Sequence, residues 1–146
     1  MDVNQKLEYL KNHYLNWSEF CRSEELSEEF IREFSDKLDW SYISKYQKLS
    51  EEFIREFQDI VHWSSICFTQ KLSEEFIREF KDRVVWDYIS WKQNLSKFFI
   101  EEFKDELNFC NLSVNEVIDE SIKQFAREQL DSRNNLEFLL KKEGII

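Results

Sequence analysis

The nine residues LSEEFIREF stand at 26–34, 49–57 and 72–80 without a substitution. A spacing of 23 between three identical segments constrains the fold more than any other feature, because whatever surface one repeat packs against, the next must meet as well. A fourth, worn version, LSKFFIEEF, begins at Leu95, and the register continues in both directions. With Leu26 as position 1, position 15 is Trp40, Trp63, Trp86 and Phe109, preceded by Trp17. The sequence therefore divides into repeats at 3–25, 26–48, 49–71, 72–94, 95–117 and 118–140, the last degenerate. The first and last are expected to cap a single domain spanning 1–146.

One unbroken helix does not fit this period. At about 100° per residue, successive repeats would be rotated by roughly 140°, and their Phe stripes would wind around the rod. Nor is the period a multiple of seven or eleven, the spacings that sustain supercoils. Two short helices per repeat fit, because start signals recur at two places. Position 2 is Ser27, Ser50, Ser73, Ser96 and then Asp119, each able to cap a helix whose first turn carries glutamates that complement the dipole. Positions 5, 6, 9 and 13 (Phe30, Ile31, Phe34 and Leu38 in one repeat) put an apolar stripe on one face. Position 14 (Asn16, Asp39, His62, Val85, Asn108) precedes a second helix that starts on the aromatic, and Val85 departs from the capping pattern. Position 19 is small throughout (Cys21, Ser44, Cys67, Ser90, Ser113), which predicts close helix approach.

Helices of about nine residues are marginal alone, so neighbouring pairs must stack to bury their aromatic side chains. The expected fold is all-α: a short α-solenoid of about six stacked helical hairpins with 23 residues per repeat. Composition agrees. Fourteen Phe and five Trp make the chain too aromatic to stay disordered, and with one Gly and no Pro there is nothing from which to build a phosphate-cradling loop.

Candidate chemistry is sparse. His13 and His62 fall in different repeats, and His62 with Cys67 would lack the orienting group and oxyanion site that a nucleophile needs. Three cysteines without zinc spacing are expected as reduced thiols. Neither an enzyme nor a cofactor or metal site is expected. The glutamates at positions 3 and 4 (Glu28, Glu29, Glu51, Glu52, Glu74, Glu75) form a candidate acidic ladder. A net charge of −10 disfavours direct contact with nucleic acid or an anionic membrane and favours a basic partner. No apolar segment approaches the roughly 20 residues of a membrane span, and the expected location is the cytoplasm.

In a tandem array the positions that differ between repeats are those that packing leaves free. Position 20 varies most and carries Phe68 and Trp91; with Ile60 and Val85 they form a candidate apolar patch of the kind that anchors protein interfaces.

The segment LSEEFIREF(S/Q/K)D, followed by a Trp and an Ile-Ser or Ile-Cys pair, resembles a tandem helical repeat of giant-virus and phage proteins, closely over 26–94 and loosely over 95–117. The resemblance implies architecture and a viral or phage source, with action in the host cytoplasm, and no catalytic residues. The functional expectation is a non-catalytic module that binds a host protein. The alternative is an acidic nucleic-acid mimic that blocks the channel of a basic, nucleic-acid-binding host nuclease or defence protein.

Overall fold

The computed structural model describes Gln5, Glu8, Leu10, Asn12 and residues 17–145. His13 and Asn16 lie outside the described residues. The chain divides into two compact units, Met1–Gln70 and Lys71–Ile146. Among the described residues the first contains helices α1 (Trp17–Ser23), α2 (Glu28–Glu33), α3 (Trp40–Tyr46), α4 (Glu51–Glu56) and α5 (Trp63–Thr69). The second contains α6 (Glu74–Glu79), α7 (Trp86–Lys92), α8 (Lys97–Glu102), α9 (Phe109–Ser113) and α10 (Glu120–Lys142). The architecture is all-α, with helices in hairpin-like pairs, consistent with a helical solenoid.

The first helix of each repeat starts where its serine places it. The hydroxyls of Ser27, Ser50, Ser73 and Ser96 accept the amides of Phe30, Phe53, Phe76 and Phe99 at 3.1–3.2 Å, each cap being worth about 1 kcal/mol. These helices are six residues long, not nine. They stop because the position 9 phenylalanine becomes the C-cap and its carbonyl gathers the next turn: Phe34 O accepts from Lys37 N at 2.9 Å and Leu38 N at 3.2 Å. That turn carries the apolar residue of position 13 into the core, where Leu38, Val61, Val84 and Leu107 are buried. The indoles of Trp40 and Trp63 then donate to the carbonyls of Ser35 and Gln58, backbone acceptors freed by the break.

Asp39 and Asn108 cap the second helices through their side chains, accepting from Ser41 N and Asn111 N. His62 and Val85 occupy the same place without a side-chain cap bond. Position 19 faces the neighbouring repeat: Cys21, Ser44, Cys67 and Ser90 are fully buried. Ser44 Oγ accepts from His62 N, and Ser90 Oγ from Asn108 N, both at 2.9 Å. A small polar side chain there lets the helices approach, and the serine satisfies the amide that precedes the second helix of the next repeat.

Second helices carry the stacking. In the first unit α3 packs on α1 and α5; in the second, α9 packs on α7 and α10. The core is the phenylalanine of position 5 (Phe53, Phe76 and Phe99 at 0% exposure), the following isoleucine, and Ile43, Ile66, Ile89 and Leu112. Each fully buried side chain of this size contributes about 1.5–3 kcal/mol.

Within each unit a buried amide side chain ties neighbouring segments together. Gln47 Nε2 donates to the carbonyls of Cys21 and Glu24, both at 2.7 Å, while its Oε1 accepts from Leu26 N at 2.8 Å. Gln70 repeats the pattern one period later on Ser44 O, Gln47 O and Leu49 N. Gln93 accepts from Leu72 N. Asn115 is one methylene shorter; it donates to Ser90 O and Gln93 O, but its Oδ1 turns to its own loop and accepts from Val117 N and Ile118 N. Among the described residues, no buried side-chain polar atom lacks a hydrogen-bond partner.

The segment 118–140, expected as a sixth hairpin, is instead one helix of 23 residues. Position 15 is Ser132 here, so the aromatic residue that opens the second helix of every earlier repeat is missing, and the helix runs through.

Candidate functional site

The glutamates at positions 3 and 4 of the repeat have different roles. Glu28 and Glu74, both half-buried, accept from the N-cap amide of the following repeat, Ser50 N at 2.7 Å and Ser96 N at 2.6 Å. Each also lies within 4 Å of the arginine one turn along its own helix, Arg32 or Arg78. Those arginines reach into the next repeat: Arg32 Nε donates to Glu56 at 2.8 Å and Arg78 to Glu102 at 2.8–3.2 Å. Both guanidinium groups stack 5.0 Å from the centroids of Phe53 and Phe99. The hydrogen bond to Glu56, or to Glu102, is the main cause that pushes these arginine pKa values further up. Glu51 is likewise half-buried and within reach of Arg55. Glu28 and Glu74 thus belong to junctions between repeats, whereas Glu29, Glu52 and Glu75 project into solvent.

Of the candidate apolar positions, Ile60 (49% exposed) precedes α5 and Phe68 (39%) lies in its last turn, both in the first unit. In the second unit Val85 is the half-buried residue before α7, and Trp91, 39% exposed, lies near its end with Lys92 Nζ 4.3 Å above the ring. Val114 and Val117, also in the second unit, are 60% and 55% exposed. Val114 occupies the same position as Trp91 one repeat later. A comparison across repeats reaches both: Val114 at position 20, and Val117 at position 23, where the earlier repeats carry Glu25, Lys48, Lys71 and Asn94.

His62 and Cys67 face different surroundings. His62 is exposed, with Nδ1 3.0 Å from Ser65 Oγ, whereas Cys67 is fully buried. Cys21, Cys67 and Cys110 are free thiols, the first two buried and the third exposed. Burial pushes the Cys21 thiol up, against an opposing backbone hydrogen bond from Asp39. No group of three or more His, Cys, Asp or Glu side chains among the described residues is arranged to hold a metal ion. No helix of the described residues is long and apolar enough to cross a membrane.

Shallow clefts lie on the surface of both units. One of about 330 Å³ in the second unit brings Asp82, Glu102, Asp105 and Glu106 around Trp86, with Lys81 at its side. Another, about 250 Å³ in the first unit, lies between Tyr42, Lys45, Tyr46 and His62. This second cleft also holds Ser65, whose Oγ lies 3.0 Å from His62 Nδ1.

No family model, curated protein or solved structure matches this chain.

Proposed function

We propose that this chain is a non-catalytic helical-repeat module that binds a protein, of viral or phage origin and acting on a host protein in the host cytoplasm. Its finer architecture in this reading is a short α-solenoid of 23-residue repeats with capping ends. One observation carries the proposal. The recurring apolar residues are taken up by the core, while Phe68 and Trp91, at the position where repeats differ, each keep 39% of their surface exposed. Large aromatic side chains left partly open on a rigid scaffold are the common anchors of protein interfaces.

A second reading, the acidic mimic of a nucleic-acid backbone, is supported by the exposure of Glu29, Glu52 and Glu75 and the net charge of −10. It has fewer carboxylates to draw on than the full ladder, because Glu28 and Glu74 are engaged at junctions.

Affinity capture from host extract, followed by titration of the captured protein with variants, tests both. Phe68→Ala with Trp91→Ala is expected to weaken binding by about tenfold or more without lowering the melting temperature. Glu29, Glu52 and Glu75 changed together to Gln should leave affinity and its salt dependence nearly unchanged. Unaltered binding by the aromatic variant would overturn the first reading. Loss of binding and of its salt slope in the Gln variant would replace it with the second.

A further inference from the structure

The first half of α10 is packed and the second half is open. Ala126 is fully buried, and Arg133 sits 4.7 Å from the Phe109 centroid with a contact to Lys104 O. Beyond Arg133 the helix leaves its support: Leu136 is 58% exposed, Phe138 67% and Leu139 53%. At about 100° per residue, Ile122, Ala126, Arg133, Leu136, Leu140 and Glu143 lie on one stripe about 100° wide. The stripe that packs against α9 therefore continues past the end of the stack, with the alternating three- and four-residue spacing of a coiled-coil seam.

That stripe is self-complementary. Leu136 and Leu140 lie two residues either side of Phe138, and Arg133 and Glu143 lie five residues either side of it. In an antiparallel pair of α10 helices crossing level with Phe138, Leu136 of one chain meets Leu140 of the other. At both ends Arg133 meets Glu143, so the charged ends match in that orientation. A parallel pair would bring Arg133 against Arg133 and Glu143 against Glu143. We propose that the projecting half of α10 is an interaction surface for a second copy of this chain, forming a twofold antiparallel dimer through Leu136 and Leu140, flanked by Arg133–Glu143 pairs.

The seam is short and belongs to the weak class of interfaces, so the dimer is expected to form at about 10–100 µM. Sedimentation equilibrium of the full chain over that range is expected to show a monomer–dimer equilibrium. Leu136→Asp with Leu140→Asp should leave it monomeric with nearly unchanged far-ultraviolet circular dichroism, because Leu136 is exposed and Leu140, though half-buried, lies in the last turn of the helix. Phe138→Asp, on the opposite side of the helix, should leave the equilibrium within about twofold. Arg133→Glu should weaken association by about tenfold, and Arg133→Glu combined with Glu143→Arg should restore it. A chain monomeric throughout, a Phe138 variant as disruptive as the leucine pair, or a charge exchange that fails to restore the dimer would each overturn the proposal.

Discussion

Single residues in this protein carry tasks that their neighbours one period away do not share. Position 14 shows this most plainly: Asp39 and Asn108 close the first turn of their helices, and His62 stands in the same backbone geometry, φ −87° and ψ 97°, without a cap bond. His62→Asn is therefore expected to stabilise the chain by about 0.5–1 kcal/mol in urea unfolding. An unchanged midpoint would mean that the Ser65 contact already supplies the equivalent. Burial separates residues of one type in the same way: Cys21 and Cys67 are enclosed and Cys110 is exposed. The cap serines and Asp39 were legible in the sequence, because a cap bonds an amide only two or three residues away and its residue types are few. The core phenylalanines were legible too, because helical periodicity reports burial directly.

At the scale of elements, what was legible was where helices begin; what was not was how neighbouring pairs are joined. Gln47, Gln70 and Gln93 sit seven residues after each tryptophan, where a glutamine in a connecting segment reads as solvated. Their partners lie 21 to 26 residues back, a distance over which sequence pattern has no local signal. The division of the glutamate pairs escaped for the same reason, since Glu28 and Ser50 are 22 apart in the chain. The last repeat was misjudged because its register could be counted while the missing aromatic at Ser132 was not taken as the loss of a helix break. Gln70→Ala tests the junction. It would take from Leu49 N–H and Gln47 O their buried partner, while Ser44 O keeps the Thr69 hydroxyl, and is expected to cost about 2 kcal/mol. Gln58→Ala, a similar truncation outside the junction, should cost far less in the same denaturation experiment.

For the whole molecule, charge sets the response to acid. Asp119 is held below the ordinary carboxylate value chiefly by hydrogen bonds from Ser121, Glu120 by Arg127 and Glu137 by Lys141. A carboxyl whose folded pKa is depressed contributes stability that is fully present above its unfolded pKa and lost as pH falls through the folded one. The isoelectric point is about 4.8, so below it the chain also acquires net positive charge and begins to repel itself. The melting temperature is expected to be nearly flat from about pH 8 to 5 and to fall steadily below about pH 4; a rise in that lower range would contradict the carboxylate bonding described above. The glutamine clasp has a consequence of another kind. Because Gln47 and Gln70 each grip the loop one period behind, and that loop is written in nearly the same residues each time, a gene that gained or lost one whole 69-nucleotide unit by unequal recombination would encode a chain whose every clasp still finds its loop. Such a chain can change length only in whole repeats, while Asn115, whose Oδ1 turns back on its own loop, ends the series.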